Sequence, residues 1–255
     1  MADATEAPSS PIPRDRFRSR LALDRVAEVS HAGRMGLSGL VHALAARTSG
    51  VHIQHLEYTE ASAIEAEPAE IEWARDMIPS RRAQFAAGRW CARAALHALG
   101  RDHCPIPADR GGVPVWPEGV VGSISHKPGA SVAAVAPTAI CCVLGLDLEL
   151  DEPRDDCAIS DVVLTHTESR HVQEIGWGRW GLASPATLVL CAKEAVYKAV
   201  YPSVRIEFDW DDLELRFDPP SRSFSVVRIG DLPHANLRGT FEVGDGWLLA
   251  AALGA

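Results

Sequence analysis

The chain has 255 residues, 47% of them hydrophobic and 23% charged, and a formal net charge of −9. That usage suits a globular protein able to bury a sizeable core, and its acidity argues against a nucleic-acid partner, which calls for a concentrated basic face. No apolar run approaches the roughly 18 to 20 residues of a membrane-spanning helix, and MADATEAPSSP lacks the basic start and apolar stretch of a secretory signal, so a cytoplasmic protein with no membrane partner is expected. The cysteines at 91, 104, 141, 142, 157 and 191 contain no CxxC pair, which argues against a zinc knuckle or a disulfide scaffold and for buried reduced thiols.

Residues 1–13 are small, polar and proline-rich and read as a disordered lead-in. Residues 14–48 form an Arg-rich extension; its stretch 14–47 sets seven arginines against three acids among apolar positions such as Phe17, Leu21, Leu37, Leu40 and Leu44, the pattern of one or two amphipathic helices. VHIQHLEY (51–58) alternates like a strand. From Pro68 to Gly100 two helices are predicted, broken at Pro79 and Ser80, with Ser80 as N-cap of the second and Gly100 closing it. A Pro- and Gly-rich loop then leads to VGSISHKPGASVAAVAP, a hairpin turning at Lys127 to Gly129.

ICCVLGLDLEL follows as a strand, then a helix from about Asp161 to Ile175. SPATLVLCAKEAVYKAVY is a long helix with Ser184 as N-cap and Pro185 at its first position. Strands DLELRFDP, SFSVVRI, NLRGTFEV and WLLAAAL close the chain. Each half presents a helix and an apolar-ending hairpin, so the predicted class is α+β, built of two similar α/β halves (49–137 and 138–255) in a pseudo-twofold arrangement with the site between them. Such an arrangement makes a monomer sufficient.

In GLDLEL, Leu146, Leu148 and Leu150 point to one side of the strand and Asp147 and Glu149 to the other. Two carboxylates so placed fit a solvated polar face, or a pair about 7 Å apart converging on one hard cation. By themselves they leave both readings open. Glu194 and Lys198 lie at i and i+4 on a helix otherwise rich in Ala, Val and Tyr, which fits a surface ion pair or, with Lys193, a third metal carboxylate beside cations for phosphate. Arg81 and Arg89, eight residues apart, fall within about 80° around a helix axis and could share one polyanion. Ser125 and His126 stand at a strand end, where a histidine can equally be structural.

Taken in order, RRxxFxxGRxxAR, PxWPxGxxGSISH, GLDLE and AKEAxYKAxYP resemble the 4′-phosphopantetheinyl transferases, in the branch of the enterobactin synthetase component D and the surfactin-type enzymes. The resemblance spans about residues 50 to 252. It implies transfer of the 4′-phosphopantetheine arm of coenzyme A to a serine of an apo acyl or peptidyl carrier protein, of the kind that serves secondary metabolite or siderophore synthesis, with release of adenosine 3′,5′-bisphosphate. By the same resemblance Asp147, Glu149 and Glu194 would hold Mg²⁺, with Mn²⁺ able to replace it. Glu194 would also help deprotonate the serine, and Lys198 and Lys193 would lie by the diphosphate. Ser125, His126, Arg81 and Arg89 would meet the 3′-phosphate and adenine. Where many relatives have a loop lysine this chain has PADRGGVPVWP, leaving Arg110 to replace it. Lys127 stands where relatives often have cysteine, and Leu190-Cys191 replaces the usual Phe-Ser.

Two rivals differ on named residues. A metal-dependent nuclease strand carries Glu-x-Lys, but Glu149 is followed by Leu150 and Asp151. A coenzyme A or carrier-binding module without catalysis would lack part of the carboxylate and lysine set, and all of it is present.

Overall fold

The strand Ala130–Pro137 (β3) is buried from Ala130 through Ala136, because it is covered on both faces. Its small residues let both layers come close. Ala133 and Val135 pack on Cys91, Ala92, Ala95 and Leu96 of the helix Pro79–Ala98 (α3). The alternate residues Ala130, Val132, Ala134 and Ala136 pack instead on Leu37, Leu40 and Leu44 of the helix Leu37–Arg47 (α1) and on Leu146 and Leu148 of the strand Val143–Leu150 (β4).

The structure is a computed structural model and describes residues 35–59, 62, 64, 66–102, 104–152, 156–177, 182–232 and 236–255. The expected lead-in at 1–13 and the extension as far as residue 34 lie outside them. The described residues belong to one unit, Gly33–Ala255. In it α1 buries Leu37, Leu40, Val41 and Leu44, an i, i+3, i+4, i+7 stripe, and Arg47 pairs with buried Glu242 at 2.7 Å.

Among the described residues the remaining α-helices and strands are the strand His52–Glu57 (β1), the helix Pro68–Ala74 (α2), the strand Val120–Lys127 (β2), the helices Asp156–Val163 (α4), His166–Ile175 (α5) and Pro185–Val204 (α6), and the strands Leu213–Asp218 (β5), Ser223–Ile229 (β6), Arg238–Val243 (β7) and Trp247–Gly254 (β8). They form an α+β fold with two antiparallel sheets, ordered β1-β3-β2 and β4-β8-β7-β6-β5. The helix α3 lies on the first sheet, and α6 lies on β4 and β8 of the second. Among the described residues no helix is long and apolar enough to cross a membrane.

Two boundaries differ from expectation. The residue before α3 is Ile78 in extended conformation with no side-chain cap, because Pro79 takes the first helical position, where its fixed φ fits and its missing N–H costs nothing. The helix expected over 161–175 is two helices. Thr165 and Glu168 form a reciprocal capping box that starts α5 anew, a Thr-x-x-Glu signature visible in the sequence.

Two serine hydroxyls join the sheets. β4 is an edge strand with β8 on one side, and its outward N–H groups at Leu146 and Leu148 donate to Ser123 Oγ (2.9 Å) and Ser125 Oγ (3.2 Å) of β2. A paired serine on alternate positions of one strand thus satisfies alternate amides of the next.

Candidate functional site

Asp147 and Glu149 emerge from the β2–β4 seam toward α6. Gly145 sets how close that helix comes, since a Cβ there would lie 1.8 Å from Ala195 O and 2.6 Å from Ala199 N. Leu146 and Leu148 anchor the strand on its other face, wholly buried. The helix is fixed at its start as well. Asp151 Oδ1, just past β4, accepts from Ala183 N (2.9 Å) and Ser184 N (3.3 Å), and Ser184 Oγ caps Thr187 N at 3.2 Å.

The alternate residues of β2 read β4 in step. Ser125 Oγ donates to Asp147 Oδ1 at 2.8 Å, and Lys127 Nζ lies 2.6 Å from Glu149 Oε2. Lys198 reaches the same place from α6, with Nζ 2.5 Å from Asp147 Oδ1 and 3.0 Å from Ser125 Oγ. Asp147 and Glu149 are 3% and 5% exposed, so their charges need these cations. Burial alone would lower the Lys198 ammonium. Asp147, Glu194 and Glu149 outweigh that and hold it above its ordinary range, so it stays charged near neutral pH. Cys191 donates to Asp147 O at 3.4 Å, and burial, reinforced by Asp147 and Glu149, pushes its thiol well up, leaving it a protonated donor.

The opposite face of β2 carries His126. Arg81 Nη1 lies 2.7 Å from His126 Nε2; a guanidinium only donates, so Nε2 accepts and the ring proton sits on Nδ1. Arg89 is buried under the Phe85 ring (4.4 Å to the centroid), and its Nε donates to Ile106 O at 2.7 Å. Burial brings its pKa down to about 10, against the pull of Glu70. The buried Glu70 accepts from Ile106 N at 3.1 Å and pairs with Arg93, so both sides of the Ile106 residue are held. Beyond it, Asp109 caps the turn to Val113 and pairs with Arg205 at the end of α6 at 2.6 Å, while Arg110 is exposed.

Lys193 is set apart from the carboxylates. Its side chain is fully buried on another face of α6, 2.7 Å from Glu168 Oε2, and donates to Val163 O (2.7 Å) and Trp210 O (2.8 Å). Burial lowers its pKa, and Glu168, Asp211 and Glu214 oppose that. Expected beside a diphosphate, it instead ties α6 to the end of α4 at Val163, to Glu168 in α5 and to the turn at Trp210 ahead of β5, because successive helical residues are 100° apart. The residues not anticipated are Ser123, Asp151, Glu70 and Glu168. Thr-x-x-Glu signalled Glu168; the others depend on contacts far apart in sequence.

Could the site hold a metal ion? Among the described residues no three His, Cys, Asp or Glu side chains are grouped to bind one. The donor chemistry nonetheless fits a hard cation: two buried carboxylates share a strand face, and Asp147 Oδ2 is buried without a hydrogen-bond partner. Glu194 is near enough to act on the charge of Lys198.

Comparison with known proteins gives the same reading across both halves. Residues 67–136 match the 4′-phosphopantetheinyl transferase N-terminal domain, and residues 143–252 match the 4′-phosphopantetheinyl transferase superfamily. The chain is 37% identical over 165 residues to 4′-phosphopantetheinyl transferase Svp of Streptomyces mobaraensis, covering 62% of this chain and 64% of that protein, just under two thirds of its length. It is 28% identical over 218 residues to 4′-phosphopantetheinyl transferase Npt of Nocardia iowensis, covering 77% and 91%. It is 31% identical over 119 residues to enterobactin synthase component D of Salmonella typhimurium, covering 47% and 48%. With both matched domains in order and the carboxylate–lysine seam where they meet, the chain belongs to the 4′-phosphopantetheinyl transferase superfamily, a family of transferases.

Proposed function

We propose that the protein transfers the 4′-phosphopantetheine group of coenzyme A to a serine of an apo acyl or peptidyl carrier protein, releasing adenosine 3′,5′-bisphosphate. The observation that carries this is the convergence of Asp147, Ser125 and Lys198 from β4, β2 and α6 within hydrogen-bond distance of one another. A diphosphate lying along that seam would meet Lys198 and Lys127 on its non-bridging oxygens.

In the proposed reaction the carrier serine Oγ attacks the phosphorus nearest the pantetheine. A new P–O bond forms there as the bond from that phosphorus to the bridging oxygen breaks, and the bridging oxygen leaves on the nucleotide. The serine proton passes to Glu194, directly or through water. Lys198 neutralises charge gathering on the phosphoryl oxygens. Ser125 keeps Asp147 and Lys198 in register. Asp147 and Glu149, with Glu194, would hold Mg²⁺ or Mn²⁺, whose chemistry when bound is to neutralise diphosphate oxygens and steady the leaving group.

Arg81 and His126 would take the 3′-phosphate. Arg89 belongs to the same basic set, because a phosphate would return the charge compensation that burial removes. Arg110 is free by its exposure to follow the nucleotide, while Lys193 supports α6. The protein acts as a monomer in the cytoplasm.

The test is to incubate the protein with fluorescent coenzyme A, Mg²⁺ and several apo carriers and to follow label on the carrier serine. Labelling of one carrier, lost when its serine is replaced by alanine, is the expected result. Coenzyme A binding without labelling of any carrier would reject transfer in favour of a binding module.

A further inference from the structure

Both buried carboxylates of the β2–β4 seam already have a cation. Lys198 sits against Asp147 and Lys127 against Glu149. The two lysines are not alike. Both side chains are 27% exposed, but Lys198 projects from a buried helix and also meets Ser125, whereas Lys127 is the last residue of β2, beside the Pro128–Gly129 turn. A lysine there is a point charge on a four-carbon stem with room to swing.

We propose that Lys127 is a displaceable counter-ion that competes with a divalent cation for Glu149, so that metal and diphosphate bind cooperatively. This rests on the transferase reading of the same site. With both ammoniums in place the carboxylate pair is neutralised, and a free divalent cation finds little net attraction. An arriving diphosphate offers Lys127 another anion, and its departure opens Glu149 beside the unpartnered Asp147 Oδ2. Coupling of this kind is reciprocal: coenzyme A tightens the metal by the factor by which metal tightens coenzyme A.

The experiment is a titration of the full chain with Mn²⁺, read as free Mn²⁺ by electron paramagnetic resonance, with and without coenzyme A and with no carrier present. In the wild-type protein coenzyme A should tighten Mn²⁺ at least about tenfold, within the usual range of such couplings. Lys127→Met should bind Mn²⁺ alone about tenfold more tightly than wild type, and coenzyme A should add less than about threefold. Lys127→Arg, which keeps a cation, should stay near the wild-type coupling, and Asp147→Asn should abolish the Mn²⁺ site in every background. The inference is overturned if Lys127→Met binds Mn²⁺ alone no more tightly than wild type or keeps the full effect of coenzyme A, or if the Mn²⁺ measured survives Asp147→Asn. Lys127→Ala, measured alongside, covers any loss of folding peculiar to methionine. Carrier labelling by the wild-type protein reads the transferase assignment separately, so either idea can fail while the other stands.

Discussion

α3 and α6 are both 20 residues long, both begin on a proline and both lie on a sheet, yet they carry their charges in opposite ways. α6 buries 12 residues, with β4 and β8 against one side and α4 against another, so each charge on it has to find a partner inside the protein. Lys193 finds Glu168, and Lys198 finds Asp147 and Ser125. α3 buries seven residues and leaves Arg81 exposed to reach sideways to His126. A helix packed against other elements on two sides holds its groups firmly, which would suit groups acting on reacting atoms; a more exposed helix would suit capture of a charged end of a substrate.

Breaking the α6 side should therefore cost rate. Glu194→Ala and Lys198→Ala should each lower kcat at least about 100-fold with carrier and coenzyme A saturating, the scale of a lost proton acceptor or phosphoryl cation. Steady-state labelling measures this, and a change confined to KM for coenzyme A would reject the assignment. Breaking the α3 side should cost affinity. Arg81→Ala and His126→Ala should raise KM for coenzyme A about five- to twentyfold at nearly unchanged kcat, worth about 1 to 2 kcal/mol as expected for a charge-assisted hydrogen bond. With dephospho-coenzyme A, which lacks the 3′-phosphate, both variants should match wild type; a loss of equal size on both substrates would remove the 3′-phosphate from the account.

The two lysines of AKEAVYK allow a sharper separation of support from chemistry within α6 itself. Lys193→Met leaves Glu168 charged and unpaired in the interior, and should cost about 3 to 5 kcal/mol of stability. Replacing both partners, as Lys193→Met with Glu168→Leu, removes the stranded charge and should recover part of that loss in urea unfolding. Part only, because Glu168 also accepts from Leu215 N at 2.8 Å and Thr165 N at 2.8 Å. A double variant that folds yet transfers at under a hundredth of the wild-type rate would return Lys193 to the diphosphate.

How far the site was legible follows the same division. The alternation in GLDLEL places two acids on one face because a strand has period two, and the i, i+4 spacing of Glu194 and Lys198 follows from a helix. Ser184 and Pro185 at the start of α6 could be read from local chemistry alone. Partners across elements could not. Nothing near Ser123 in the sequence reveals that its hydroxyl satisfies Leu146 N, and nothing near Asp151 reveals that it holds the first amides of α6. Lys193 shows the same limit: it adjoins Glu194 in sequence, but successive helical residues look in different directions, and which way α6 turns depends on its packing against β4. Gly145 is the residue that decides this packing. Gly145→Ala would drive a methyl into the Ala195 carbonyl, and a loss of about 1 to 3 kcal/mol is expected, with transfer falling further than stability as Lys198 moves off Asp147.

The smallest effect concerns how each helix begins. Ser184 is fully buried, and its hydroxyl takes both Thr187 N and the Thr187 hydroxyl, so α6 starts with its first turn satisfied. Ile78, at the corresponding place before α3, offers no side-chain acceptor and is 68% exposed. Ser184→Ala should cost about 1 to 2 kcal/mol, the upper part of the range for a lost N-cap because the site is buried. Ile78→Asp should do the reverse, stabilising by about 0.5 to 1 kcal/mol, since it adds an acceptor and a negative charge at the positive end of the helix while removing little buried apolar surface. Urea midpoints measure both. If Ile78→Asp destabilises, the exposed isoleucine is serving a contact, and α3 is not the loosely held helix that the comparison with α6 makes it.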